Sequence, residues 1–287
     1  MTYVFENTIL IPYLKGAGTM EQDTHFLEVR NKQVRKANEL IQKSRFNLSL
    51  QQQKVVLYLI SQISPFDEDF KLYEFSVSEF CRVCGIDETS GKNYTDLKNA
   101  IKDIADKSLW IHLDDGTETL LRWIEKPYIN KKSGMISIRL DKDMKPFLLQ
   151  LKKNYTQYDL LWTLRFRSKY SIRLYELIKS IHFKELETYE RIYELEELKR
   201  ILNAETYTTY QTLKTRVLNP AIEEINEFSD KQVSYEPIKK GRSVIKIRFV
   251  INSKPTLIRE KIRSDIEHEF GLTQLTFWDT LEQKGYV

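Results

Sequence analysis

The chain repeats itself. VVLYLIS, from Val55, returns as IRLYELIKS from Ile172, an offset of about 117 residues. YEFSVSEFCRVCGI (73–86) then finds a counterpart in IYELEELKRIL (192–202), with Phe75, Val77, Phe80 and Val83 opposite Tyr193, Leu195, Leu198 and Ile201. Tyr94, Leu97 and Lys98 fall opposite Tyr210, Leu213 and Lys214. Three matched blocks in one order mean a duplicated unit, and 287 residues supply each copy with enough chain for a core of its own.

Both copies share one grammar. A helix (about 49–63, or 168–183) leads into an extended stretch (about 72–77, or 190–194), a short helix (77–84, or 195–202), a turn and a longer helix (93–107, or 208–228). Strands close each unit: SLWIHL and TLLRWIE in the first, with MISIRL as a candidate third, and KQVSYEPI and SVIKIRFVI in the second, joined through KKGR. Helix, strand, helix, helix, hairpin is the order of a winged helix-turn-helix. The expected fold class is therefore α+β, with two tandem winged helix-turn-helix domains from an internal duplication. The expected divisions are a flexible N-terminal extension (1–29), winged-helix domain 1 (30–153), winged-helix domain 2 (154–255) and a C-terminal helical tail (256–287).

The second copy's long helix carries the strongest chemical signal. Leu213, Val217, Ala221 and Ile225 recur every four residues, widened by Leu218, Ile222 and Phe228 into a buried stripe. Its front end gathers Thr208, Thr209, Gln211, Thr212, Lys214, Thr215 and Arg216. Cations near a helix N-terminus are disfavoured unless an anion is supplied, and DNA phosphate supplies one. Thr208 or Thr209 can cap the helix, leaving another hydroxyl and Gln211 for DNA. Pro220, lacking an amide hydrogen, is expected to kink the helix or break it after Leu218. Lys239, Lys240 and Arg242 surround Gly241 on the hairpin, where basic tips meet phosphates. In the first copy, Lys92, Asn93 and Lys98 are diluted by Asp96, Asp103 and Asp106, so copy two is expected to be the principal DNA reader. The competing reading of each cluster is a solvated charged surface.

Charge agrees with a nucleic-acid partner. Counting Lys and Arg against Asp and Glu gives −3 for residues 1–29, +5 for 30–153, +4 for 154–255 and −2 for 256–287, within the net charge of +4. No apolar run approaches a membrane span, and the N-terminus lacks the order of a secretion signal. A cytoplasmic protein without a membrane partner is expected. Four scattered histidines and one Cys81-x-x-Cys84 pair leave metal and redox chemistry without a second ligand set, and the cysteines read as the apolar side of a short helix. Paired histidines for a nicking tyrosine, a GKS/GKT loop and a G-x-S-x-G elbow are all missing, so the expectation is no enzyme, no catalytic residue, no metal and no cofactor.

The chain resembles the Rep_3-type plasmid replication initiators over about 30–252. The resemblance is carried by NKQVRKANELIQKSRFNLSLQQQKVVLYLISQI (31–63), SKYSIRLYELI (168–178) and YQTLKTRVLNPAIEEIN (210–226). It implies tandem winged helices on double-stranded DNA. The second would read origin direct repeats (iterons) through Gln211, Thr212, Lys214, Thr215 and Arg216; the first would provide dimerisation and auxiliary DNA contacts. It also implies a monomer in equilibrium with a homodimer that represses its own gene at an operator inverted repeat. Origin melting and recruitment of a host initiator and replicative helicase complete the implied activity. The alternative is a dimeric winged-helix repressor without replication activity.

Two features lie outside the resemblance. Met20 is a second candidate start. The tail carries Ile258, Ile262, Ile266 and Phe270 at four-residue spacing, followed by Leu275, Phe277, Trp278 and Leu281. That stripe either packs on the second domain or docks a host replication protein.

Overall fold

The computed structural model describes residues 29, 32–84, 92–113, 115–181 and 188–269. The first unit runs β1 (Gln33–Ala37), α1 (Asn38–Lys43), β2 (Ser44–Arg45), α2 (Leu50–Ser61), β3 (Tyr73–Ser76), α3 (Val77–Val83), α4 (Lys92–Asp106), β4 (Ser108–His112), β5 (Glu118–Arg122), β6 (Tyr128–Ile129) and β7 (Met135–Ile138). After α5 (Lys145–Leu148), β8 (Tyr155–Asp159) and α6 (Leu161–Leu164) comes the second unit: α7 (Lys169–Lys179), β9 (Thr188–Glu194) and α8 (Leu195–Leu202). A continuous helical stretch over 210–228, α9, leads to β10 (Lys231–Lys240), β11 (Ser243–Ser253) and α10 (Thr256–Glu269).

Local chemistry sets the helix starts. The Gln52 amide donates to Ser49 Oγ at 3.3 Å and the Ser49 amide donates to Gln52 Oε1 at 2.9 Å, a reciprocal cap that satisfies two open amides of α2. Ser76 and Ser168 cap α3 and α7. Asn203 ends α8 in the left-handed region (φ 51), which lets its own amide and that of Ala204 satisfy the last carbonyls and starts the turn toward α9.

Each unit buries a three-helix body against a three-stranded antiparallel sheet, and the sheets share one topology. The second is β10–β11–β9; the first is β6–β7–β3. Phe75 sits opposite Ile136 where Tyr193 sits opposite Ile247, and all four are buried. Tyr58 packs edge-on against Phe75 and Phe80 at 5.0 and 5.7 Å in the first core. This corrects the sequence reading of the first copy's closing strands. SLWIHL and TLLRWIE form β4 and β5, which lie in a separate sheet of order β2–β4–β5, β4 pairing with β2 on one side and β5 on the other. The element that corresponds to the second unit's wing is the β6–β7 hairpin, with MISIRL supplying β7. Alternation along β4 and β5 was enough to specify strands, but not their partner.

Residues on either side of 153 are joined by main chain, because β8 pairs antiparallel with β1 from Gln33↔Asp159 to Ala37↔Tyr155. The units meet through α7. Arg173 is buried, stacks over Phe46 at 4.3 Å and donates to the carbonyls of Ile41, Ser44 and Ile201 at 3.0–3.2 Å. One turn on, Glu176 accepts from Lys36 Nζ at 2.6 Å and from the Tyr158 hydroxyl at 2.6 Å. Arg45 makes two hydrogen bonds to Glu205 at 2.7 and 2.9 Å on the surface. Cys81 and Cys84 are buried with Phe80 and Val83.

In α10, Ile266 is buried, Ile262 is partly buried and Ile258 is exposed. Arg263 and Arg165 pair with Asp159 and Glu269, holding the helix against α6 and α9. Phe270, Leu275, Phe277, Trp278, Leu281, Met20 and the rest of 1–28 lie outside the described residues.

Burial of cations in the second unit gives stability a definite pH dependence. Lys231 and Lys254 are buried, and desolvation lowers both ammonium groups to about 8 although Asp230 pulls them upward. Burial lowers Lys36 and Lys54 as well. A base that is lowered on folding binds fewer protons than its unfolded counterpart between its folded value and the ordinary 10.5, so stability rises with pH through that window. Above about 10, unfolded tyrosines ionise while Tyr158 and Tyr175, raised by burial, hold their protons, and stability falls. Urea midpoints are expected to increase from pH 8 to about 9.5 and decrease beyond it; a midpoint falling steadily from pH 8 would contradict the assignment.

Candidate nucleic-acid interface

Thr209 settles which threonine caps α9. Its Oγ1 accepts from the Thr212 amide at 3.2 Å and lies 2.9 Å from Thr212 Oγ1. Thr212 Oγ1 also meets the Thr209 carbonyl at 2.9 Å, and Thr215 Oγ1 donates to the Gln211 carbonyl at 3.0 Å. All three threonine hydroxyls are thus bonded to the helix's own backbone. Gln211 and Arg216 are exposed, Lys214 is half-buried, and none of these three side chains has an ion-pair partner among the described residues. Thr208 precedes the cap and is exposed. The opposite face buries Leu213, Val217, Leu218, Ala221, Ile222, Ile225 and Phe228 as the four-residue spacing predicts. Each of the larger side chains in this stripe, Ala221 apart, contributes about 1.5–3 kcal/mol relative to exposure.

Pro220 does not break this helix. Tyr210–Leu213 is α-helical, Lys214–Leu218 forms a π turn, and Asn219–Phe228 resumes the α-helix, with Leu218 (φ −70, ψ −51) and Asn219 (φ −60, ψ −54) both helical. The proline has no amide to return to Arg216, and the chain widens by one residue instead, the Asn219 amide donating to the Lys214 carbonyl. The π turn lies directly under Lys214, Thr215 and Arg216. A proline in sequence signals a break; only packing on both sides reveals that the helix is retained.

The wing is tied to the helix by side chains. Asn226 Nδ2 donates to the Val233 carbonyl at 2.9 Å and its Oδ1 accepts from the Val233 amide at 2.6 Å. The Tyr235 hydroxyl donates to Asn219 Oδ1 at 2.7 Å. The hairpin turns at Gly241, whose φ of +63 suits the first position of a two-residue loop, with Lys240 opposite Ser243. A register shift beyond Ile238 adds a bulge below the tip. Lys239, Lys240 and Arg242 are all exposed there.

In the first unit, Lys92 and Lys98 are exposed on α4 and Asn93 is half-buried. Lys92 lies 4.0 Å from Asp96, and Lys102 lies 3.5 Å from Asp106. Sequence reasoning passed over Lys131 and Lys132, exposed at the tip of the β6–β7 hairpin. The signal was present in Asn130-Lys-Lys-Ser-Gly134, a turn composition between two apolar pairs. Among the described residues, no group of three or more His, Cys, Asp and Glu side chains is placed to hold a metal, and no helix is long and apolar enough to cross a membrane.

A helical body with a hairpin wing, present twice and basic at its exposed ends, defines a tandem winged-helix protein of the DNA-binding class. The chain belongs to the initiator replication protein family: residues 33–179 match the family's first winged helix (Initiator Replication protein, WH1) and 194–251 its second (Initiator Rep protein, WH2). A replication initiation protein of Escherichia coli is 26% identical over 226 residues, spanning 76% of this chain and 69% of that protein. The crystal structure of Pi initiator protein in complex with iteron DNA superposes with a TM-score of 0.66 at 22% identity, covering 78% of this chain and 98% of that one.

Proposed function

We propose that this chain is a plasmid replication initiator that binds iteron repeats as double-stranded DNA. The observation that carries the proposal is the second unit's geometry: a capped helix presenting Gln211, Thr212, Lys214, Thr215 and Arg216, clamped to a wing presenting Lys239, Lys240 and Arg242. The helix reads bases in the major groove while the wing holds phosphates. Membership in the initiator family supports the replication role.

The finer division of labour belongs to the same proposal. Residues 154–255 act as principal reader, 30–153 provide dimerisation and auxiliary contacts through Lys92, Asn93 and Lys98, and 256–287 form an appended tail. A homodimer represses the chain's own gene; monomers open the origin and recruit the host initiator and helicase in the cytoplasm. Footprinting on DNA flanking the gene tests it: regularly spaced direct repeats on which a marker plasmid depends support an initiator, whereas one inverted repeat without replication leaves a repressor.

Lys240→Ala is expected to weaken binding on specific and random DNA alike and to reduce the slope of log affinity against log salt by about 1. Gel shifts at four salt concentrations check this; a loss confined to the specific site would make Lys240 a base reader.

A further inference from the structure

We propose that the π turn of α9 is the specificity device of the DNA interface. Pro220 is then a positioning residue that sets, without touching DNA, the face on which Gln211, Thr212, Thr215 and Arg216 meet the bases. The inference rests on the DNA-binding reading above and deepens it. Three observations support it.

The buried stripe repeats every four residues along its whole length. An α-helix turns about 100° per residue, so each four-residue step runs about 40° past a full turn, and the three steps from Leu213 to Ile225 would drift by about 120°. Yet Leu213, Val217, Ala221 and Ile225 are each 0% exposed. The π turn accounts for this, because its wider ring takes up one extra residue, about 100°, and leaves a drift of about 20°.

The exposed face keeps the same repeat. Gln211 and Thr215 are four apart, as are Thr212 and Arg216, and all four are exposed while Lys214 between them is half-buried. The turn stacks each pair along the axis, so the four side chains stand opposite the buried stripe. In a regular helix with its rear half held in the core, the front half would be rotated by about 100°, enough to swing them off that face.

Two groups build the turn. Pro220 has no amide for the Arg216 carbonyl, and the Asn219 amide closes the wider ring on the Lys214 carbonyl instead. Asn219 is itself held from the wing, its Oδ1 accepting from the Tyr235 hydroxyl at 2.7 Å. Pro220 falls in the first turn of the resumed helix Asn219–Phe228, where a missing amide is tolerated. The turn is therefore fixed between proline and wing, and the register of the reading face is fixed with it.

The test is a gel-shift comparison of specific and random DNA with the full chain carrying Pro220→Ala. That variant supplies the missing amide, so the regular bond to the Arg216 carbonyl can close. It is expected to fold with an unchanged or higher thermal midpoint, since proline disfavours a helix interior. Random DNA is expected to bind as it does to wild type, and the specific repeat about 10- to 100-fold more weakly. Hydrogen exchange is expected to show the amide at position 220 protected. Deleting Asn219 in the same background removes the extra residue, so a regular helix regains the wild-type face. Most of the discrimination is then expected to return, an outcome that a purely structural role for Pro220 does not produce. An unchanged specific-to-random ratio in Pro220→Ala, while Arg216→Ala still lowers it, would overturn the proposal. So would equal losses on both DNAs, or a folded deletion variant that regains no discrimination; should the deletion not fold, the Pro220→Ala ratio decides alone. A wild-type chain with no preference for any repeat would instead remove the parent reading, before any variant is compared.

Discussion

Glu176→Ala is expected to lower folding stability by about 3–5 kcal/mol, the cost of leaving a buried charge without its partner. Glu176 is 1% exposed and accepts from Lys36 Nζ and the Tyr158 hydroxyl, both at 2.6 Å. Removing it leaves the Lys36 ammonium, itself buried, facing Arg173 with no compensating anion. Urea denaturation reads the loss, and the double variant Lys36→Met with Glu176→Gln makes it diagnostic. That pair removes both charges while keeping an acceptor for Tyr158, so it is expected to recover most of the stability. A double variant as unstable as the sum of the singles would show that shape at this site matters more than charge. Because Lys36 belongs to β1 and Glu176 to α7, the single variant is also expected to loosen one unit from the other.

Arg216→Ala is expected to reduce affinity for the specific repeat by about 1–3 kcal/mol, roughly 5- to 150-fold, with a much smaller effect on random DNA. Arg216 is exposed on the π turn of α9 and makes no ion pair among the described residues, so its removal leaves no internal charge stranded. Folding should be unaffected, and thermal melting alongside the gel shifts verifies this. Equal losses on specific and random DNA would move Arg216 from the reading set to the phosphate-holding set. Arg216→Lys sharpens the result: a lysine keeps the charge but not the two-pronged geometry that suits guanine, so it should recover affinity for random DNA before specificity.

Much of the fold was legible because its signals are local. The four-residue stripe from Leu213 to Ile225, the threonine cap of α9 and the Gly241 turn each depend on neighbours within a few positions. What escaped the sequence depends on distant partners. β4, β5 and β7 alternate with the same period, and only the approach of Phe75 to Ile136 decides which of them completes the wing sheet. β1 and β8 pair across more than 100 residues of chain, and nothing in QVRKA or YTQYD names the other. Arg173, inside SKYSIRLYELI, has the look of one more polar residue on an amphipathic helix; its three carbonyl partners come from α1, β2 and α8. Within the candidate site, the cluster from Thr208 to Arg216 was visible as composition, whereas the inward hydrogen bonds of Thr209, Thr212 and Thr215 and the π turn emerge only with coordinates.

The side-chain clamp between α9 and β10 has a mechanical consequence. Asn226 grips Val233 at both its amide and its carbonyl, and Tyr235 reaches Asn219 just past the π turn. Helix and hairpin are therefore the two jaws of a caliper with a fixed opening. Such a tool cannot stretch to accommodate a groove of another width, so mismatch must be taken up by bending or twisting the duplex. Repeats whose steps deform easily would then be favoured even at base pairs no side chain touches.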